Sequence, residues 1–180
     1  QKAYAVAALL YLDHRSEARR LAIANLAWEN SKSDQALTNL RQLLLHARNT
    51  GKKHGVEVFH SGTKSIALNP GLRIDLAEIA QLRSVTDAAE LDRLIGLYRG
   101  ELLDGIDDSG PEFGQWLRTM RTQVEEQFIA QAVDAATRIG GRAGRAALTR
   151  LSMQHPLSDL LVRAQIGAFL RDGNQLAARA

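Results

Sequence analysis

Cysteine and long apolar runs are both absent from this sequence of 180 residues. Without cysteine, the chain has no disulfide scaffold, thiolate metal site or cysteine nucleophile, and a reducing compartment is compatible with it. The longest uncharged apolar stretch, residues 3–12, is half as long as the roughly 20 residues that a membrane-spanning helix needs. No small-residue cleavage site follows it, and the first residue is not methionine. We therefore expect neither a signal peptide nor a membrane anchor, and we expect the sequence to be a piece of a longer protein.

The sequence also lacks the motifs of the common catalytic chemistries. It contains neither the G-x-x-x-x-G-K-[ST] pattern of a phosphate loop nor the G-x-G-x-x-G pattern of a dinucleotide-binding turn. The five histidines form no H-x-x-x-H pair, and Ile106 stands in the acidic loop 104–108 where a calcium loop needs an oxygen ligand. Serine, histidine and aspartate occur in no recognisable nucleophile elbow. We therefore expect a protein that is not an enzyme and that uses no cofactor or metal.

The charge is divided unevenly along a chain of globular composition. Hydrophobic residues make up 45% and charged residues 24%, which excludes wholesale disorder. Residues 1–70 carry ten basic and five acidic side chains, whereas residues 71–180 carry thirteen and fifteen. A basic first part favours a polyanionic partner such as nucleic acid. The alternative is an ordinary soluble domain, for which this net charge is also common.

Three helices are predicted in the first 50 residues. Lys2 to Leu12 contains no turn residue and has apolar side chains at helical spacing. Ser16 is predicted to cap a second helix that ends near Trp28. Ser33 is predicted to cap a third helix from Asp34 to about Arg48.

A change of period after Gly51 predicts a β-hairpin. Residues 56–59 and 65–68 are short runs rich in β-branched, apolar or aromatic side chains, and the turn-forming residues 61–64 separate them. Asn69-Pro70-Gly71 follows as a turn cluster. We therefore predict a domain boundary near residues 69–72.

The chain after Gly71 is predicted to be helical throughout. Asp75 with Glu78, and Asp87 with Glu90, resemble capping boxes, and Ser109 with Glu112 has the strict form. Further breaks are predicted at residues 140–141 and at Pro156. Residues 124–157 then form two helices and a turn, which matches the roughly 34-residue tetratricopeptide period. Trp116 falls on the apolar stripe of its helix, so we expect it to be buried and to anchor this second domain.

The third predicted helix has one apolar face and one face rich in amide and basic groups. At about 100° per residue, the leucine and alanine side chains between residues 36 and 47 share the apolar face, except Leu45. The opposite face carries Gln35, Thr38, Asn39, Arg41, Gln42, Leu45, His46 and Asn49. Asparagine and glutamine can bind adenine through two hydrogen bonds, and arginine can bind guanine or phosphate. The alternative is a solvated face without a ligand.

Three helices followed by a hairpin is the order of a winged helix-turn-helix, whose third helix enters the major groove of DNA. Basic side chains after that helix and in the hairpin are then placed for phosphate contacts. The predicted DNA-binding residues are Gln35, Thr38, Asn39, Arg41, Gln42, His46, Arg48, Lys52, Lys53 and Lys64. We therefore predict a mainly α protein: a winged helix with a short hairpin wing at 1–70, then an all-α, tetratricopeptide-like domain at 71–180.

Two motifs in the second half resemble a known family. Residues 97–105 read LYRGELLDG, and residues 111–117 read PEFGQWL, followed by Arg121. With His155-Pro156-Leu157, they resemble the bacterial transcriptional activator domain of Streptomyces antibiotic regulatory proteins and related large regulators. This resemblance covers about Asn69 to the end of the sequence.

The first part is similar to the winged-helix domain of the same family. The NLRQ sequence at 39–42 matches the start of the family's recognition helix, and Arg48 matches a later basic position. Leu45, His46, Ala47 and Asn49 differ, because they stand where the family usually has Ser, Arg, Leu and Arg. The strands that usually precede the first helix are also missing.

This resemblance implies a cytoplasmic transcriptional activator that binds double-stranded DNA. It implies that the second domain contacts RNA polymerase, forms a homo-oligomer or relays a signal to further domains. The alternative is a protein–protein interaction module whose winged helix no longer binds DNA, because two arginines of the family pattern are absent.

Overall fold

The computed structural model describes residues 1–13, 17–106 and 110–171. Within these residues the chain is mainly helical, with one small antiparallel sheet, which confirms the predicted fold class. The elements are α1 (Lys2–Leu12), β1 (Ala18–Arg19), α2 (Arg20–Ala27), α3 (Ser33–His54), β2 (Phe59–Ser61), β3 (Ser65–Leu68), α4 (Asp75–Gln81), a 3-10 turn (Leu82–Ser84), α5 (Ala88–Leu97), α6 (Pro111–Ile139), α7 (Gly141–Gln154) and α8 (Asp159–Arg171). In the described ranges, no helix is long and apolar enough to cross a membrane.

The chain divides into two compact units. The first unit contains Gln1–Leu72 and Glu101–Thr122, and the second contains Arg73–Gly100 and the chain from Gln123 onward. These compact units differ from the predicted domains 1–70 and 71–180 in that residues 101–122 group with the first unit. Helix α6 contributes its first twelve residues to the first unit and the remainder to the second.

The first unit is built from α1, α2, α3, a three-stranded sheet and the first twelve residues of α6. Among the described residues the strand order is β1-β3-β2, and both pairings are antiparallel. The core contains completely or almost completely buried side chains from α1, α3, β3 and α6, such as Val6, Leu9, Leu40, Ile66 and Phe113. The hairpin of β2 and β3 confirms the predicted one, although its first strand begins only at Phe59. This order of elements is consistent with a winged helix.

Strand β1 and the start of α2 differ from the prediction. The sequence indicated one helix beginning after Ser16, whereas α2 begins at Arg20, directly after the two residues of β1. Two residues are too short for the alternating pattern that identifies a strand, so only the pairing with β3 defines β1. Ser16 itself lies outside the described residues.

Helix α3 is longer at both ends than predicted. Lys32 occupies the N-cap and Ser33 is already helical, so the prediction that Ser33 caps this helix is wrong. The helix also passes through Gly51 and ends at Gly55, which adopts a left-handed conformation with φ 67°. Gly51 is buried, and a Cβ there would overlap the carbonyl oxygen of Val56. Gly51 therefore lets the chain fold back closely over the helix instead of ending it.

Trp116 packs against the first unit and not the second. Its neighbours Phe113 and Leu117 are buried in the first core, and the rings of Phe113 and Trp116 are 5.3 Å apart. Trp116 is only partly buried. The prediction that it is buried and anchors the second domain is therefore wrong. The apolar spacing of α6 shows that a face is buried, but it does not show which core receives that face.

The second unit is all-α. Its core includes the buried residues Leu91, Leu94, Phe128, Leu148, Leu151 and Leu161. The Asp87 cap is confirmed, since its carboxylate accepts a hydrogen bond of 2.9 Å from the backbone N–H of Glu90. The Asp75 cap is wrong, because Ile74 occupies that N-cap and Asp75 is the first helical residue. Ser109, the third predicted cap, lies outside the described residues.

Helices α6 and α7 approach each other closely across a glycine. Gly144 in α7 is buried, and a Cβ at this position would overlap the carbonyl oxygen of Ala136 in α6. The predicted break between these helices is confirmed, because Gly140 and Gly141 both have positive φ angles. In the same unit, Tyr98 stacks on Phe128 with ring centroids 4.4 Å apart.

Candidate nucleic-acid interface

The predicted DNA-binding residues of α3 lie on its solvent side. Gln35, Arg41, Gln42, His46, Arg48, Lys52 and Lys53 are exposed, whereas Thr38 and Asn39 are half-buried. The opposite side buries Ala36, Leu40 and Gly51. We call the exposed side of α3 the polar face. Helix α3 has five charged side chains, all of them on this face. Four are cations, and the fifth, Asp34, is an acid.

The polar face is longer than the major groove of DNA is wide. A rise of about 1.5 Å per residue places Lys53 about 27 Å beyond Gln35 along the axis. The major groove of B-form DNA is only about 12 Å wide. Base contacts therefore suit the first half of α3, and phosphate contacts suit Lys52 and Lys53 near its end.

Two hydrogen bonds orient polar groups on this face. The Gln35 Nε2 group donates to Asn39 Oδ1 at 3.0 Å, and the Thr38 hydroxyl donates to the backbone carbonyl of Asp34 at 2.9 Å. The amide N–H groups of Asn39 remain as donors, and the Thr38 oxygen remains as an acceptor. The side chains of Arg41 and Gln42 make no hydrogen bond or ion pair with the part of the chain that the structure describes.

The hairpin turn brings further cations beside Lys64. The backbone N–H of Arg20 donates to the Lys64 carbonyl at 3.0 Å, and its guanidinium donates to the Gly62 carbonyl at 3.2 Å. Arg19 pairs with Ser65 across β1 and β3. The sequence did not identify Arg19 and Arg20 as candidate phosphate contacts, because the two-residue strand that aligns them with the wing has no periodic pattern. The only signal in the sequence was that the two arginines are consecutive.

An apolar groove of about 890 Å³ borders the polar face. It lies among α1, α3 and the chain leading into β2, and the side chains that line it include Tyr4, Trp28, Leu43, Ala47 and Val58. Asn39, Gln42 and His46 stand at its polar edge. Tyr4 is 69% exposed although α1 is apolar almost throughout. The same side of α3 therefore offers both hydrogen-bonding groups and an apolar surface.

The described residues contain no group of three or more histidine, aspartate or glutamate side chains able to hold a metal ion. The groups with hydrogen-bonding capacity on the polar face are amides, a hydroxyl, guanidinium groups and imidazole. These recognise base edges and phosphates.

Comparison with known proteins identifies the second half of the chain. No curated protein matches the sequence. The family of the bacterial transcriptional activator domain matches residues 75–180, and the match does not extend over residues 1–74. This family is not known for enzymes. The matched segment is more than half of the chain and contains the two motifs found in the sequence. The chain belongs to the family of the bacterial transcriptional activator domain.

Proposed function

We propose that this protein is a DNA-binding transcriptional activator whose first unit is a winged helix. The observation that carries the proposal is the polar face of α3, which is exposed, cationic and next in sequence to a hairpin with Lys64 in its turn. In a winged helix, the third helix enters the major groove and the hairpin lies over the neighbouring backbone. Membership of an activator family supports DNA as the partner.

The side chains of the polar face divide into two roles. Asn39 and Gln42 carry amides that can pair with adenine through two hydrogen bonds. Arg41 and Arg48 lie seven residues apart toward one edge of the face, where the phosphates that flank the groove are closer than the bases. Lys64 in the wing supplies a further phosphate contact.

The second unit is proposed to make the protein contacts of the activator. It is all-α and belongs to a family of transcriptional activators. RNA polymerase or a second copy of the chain is the partner that fits such a role. The regulator would act in the cytoplasm, where bacterial DNA is located.

A second candidate function is an interaction module without DNA binding. The apolar groove beside the polar face favours it, because a protein partner can place apolar side chains in such a groove. His46 and Asn49 also replace two arginines of the family pattern, which reduces the charge available for phosphate.

Titration of fluorescent duplex DNA at several salt concentrations distinguishes the two candidates. Each phosphate contact steepens the dependence of log affinity on log salt by about 0.9 units. Arg41→Ala and Arg48→Ala should each weaken binding to all sequences and flatten that slope by about one unit. Arg142→Ala, an exposed arginine of the second unit, serves as the control and should leave the slope unchanged.

Base recognition is tested separately with Gln42→Ala. This variant should lose about 1–3 kcal/mol of discrimination at one base pair and keep its salt slope. If wild-type protein fails to bind duplex DNA at low salt, or if binding is insensitive to both Arg41→Ala and Gln42→Ala, the interaction module is the better description.

A further inference from the structure

An apolar side chain lies in the middle of the polar face. Leu45 is 60% exposed. The residues one turn before and after it, Arg41, Gln42, Arg48 and Asn49, are all exposed and polar. Leu45 therefore offers a branched apolar surface in the row of side chains that we propose to face DNA.

Leu45 does not belong to the hydrophobic core of the first unit. It lies five residues after the buried Leu40, which turns it about 140° around the helix from the centre of the buried side. The apolar groove beside α3 is lined by Gln42 and His46 but not by Leu45. Neither the core nor the groove therefore accounts for its position.

The spacing between Gln42 and Leu45 along the helix axis is within about 1 Å of the spacing between neighbouring base pairs. Three helical residues advance about 4.5 Å along the helix axis. Successive base pairs are about 3.4 Å apart along each strand. When Gln42 meets one base pair, Leu45 therefore reaches the adjacent pair on the same side of the helix.

The apolar group that a base presents in the major groove is the C5 methyl of thymine. The other groove positions are hydrogen-bond donors and acceptors, which leucine cannot satisfy. The same methyl group is present on 5-methylcytosine.

We propose that Leu45 is a specificity-determining residue that reads a pyrimidine C5 methyl group on the base pair next to the one contacted by Gln42. This inference rests on the proposed function, since it requires that α3 lies in the major groove. A methyl group that packs against Leu45 is removed from water on binding, which increases affinity about fourfold.

The test uses the full 180-residue chain and duplexes enriched from a random pool by binding to the wild-type protein. Each thymine of the enriched site is replaced in turn by deoxyuridine, which removes only the C5 methyl. In a second arm, cytosine and then 5-methylcytosine occupy the sensitive position, so that the two methylated bases are examined separately. Affinity is measured by fluorescence anisotropy for wild type, Leu45→Ala and Leu157→Ala. Leu157 is 97% exposed in the second unit and provides the matched control.

We expect one thymine, adjacent to the pair that depends on Gln42, at which deoxyuridine weakens wild-type binding about fourfold. Leu45→Ala should bind the thymine and deoxyuridine duplexes equally, whereas Leu157→Ala should behave like wild type. If the wild type binds 5-methylcytosine more tightly than cytosine at this position and Leu45→Ala does not, Leu45 also recognises the methyl group of 5-methylcytosine.

The failures of the two proposals are distinguishable. If DNA binds and no thymine depends on its methyl group, or if Leu45→Ala retains the dependence, the role of Leu45 is refuted and the proposed function stands. If no duplex is enriched or bound, both proposals are refuted together. Circular dichroism of Leu45→Ala is expected to match wild type, because the residue is exposed.

Discussion

The carboxylate of Glu29 accepts a hydrogen bond of 2.9 Å from the backbone N–H of Glu112. The same oxygen, Oε2, accepts a second bond of 3.2 Å from the N–H of Phe113. Glu29 lies in the turn between α2 and α3, and the two donors belong to the first turn of α6. A side chain from the proposed helix-turn-helix thus caps α6, where a negative charge is also favoured by the helix dipole. This cap fastens residues 110–117 to the first unit.

Glu29→Ala should lower the free energy of unfolding of the first unit by about 1–2 kcal/mol, the usual cost of losing an N-cap. Both tryptophans of the sequence, Trp28 and Trp116, lie in this unit. Tryptophan fluorescence in urea therefore reports on it specifically. Glu126→Ala removes an exposed glutamate from the second-unit part of α6 and should have little effect. Equal midpoints for the two variants would show that the cap contributes nothing.

Gly51→Ala and Gly96→Ala should shift stability in opposite directions. Alanine normally stabilises a helix relative to glycine by about 0.5–1 kcal/mol. Gly96 in α5 has open space around it, so this gain is expected there. At Gly51 the new methyl group overlaps the Val56 carbonyl, and the displacement should cost about 1–3 kcal/mol net. Urea unfolding followed by circular dichroism measures both; stabilisation by Gly51→Ala would contradict the close approach.

Trp116→Ala should weaken the first unit and leave the second nearly unchanged. Removal of a fully buried tryptophan costs about 3–5 kcal/mol, and Trp116 is only partly buried, so we expect about 2 kcal/mol. Hydrogen exchange measured by mass spectrometry should then increase in residues 1–72 more than in residues 73–100. The reverse distribution would place Trp116 in the second core, as the sequence had indicated.

His46→Arg and Asn49→Arg should strengthen DNA binding and steepen its salt dependence. Both positions are exposed on the polar face, and they are the two at which the winged-helix pattern that the sequence resembles has arginine. Each added phosphate contact contributes about 0.9 units of slope, so the double variant should gain between one and two units. Arg142→Lys, a charge-conserving change in the second unit, is the control, and its salt slope should equal that of the wild type. An unchanged slope in the double variant would mean that this part of α3 does not approach DNA.

Particular residues show which features the sequence determined by itself. The apolar spacing in Lys2–Leu12 predicted α1 correctly, and Asp87 with Glu90 predicted a cap, because both signals depend on residues within one or two helical turns. The polar face of α3 was predicted for the same reason. Leu45 was visible in the sequence as an apolar residue among polar ones, although only its exposure showed that no core receives it.

Tertiary structure decided the features that depend on residues distant in sequence. Strand β1 exists through its pairing with Ile66 and Ser65 in β3, and glycine is needed at position 51 of α3 because the Val56 carbonyl folds back against it. Glu29 caps a helix 83 residues further along the chain, and Trp116 joins the first core and not the second. Local periodicity establishes that a helix has a buried face. Which of the two cores receives that face depends on the packing interactions that each core offers, and these come from residues outside α6.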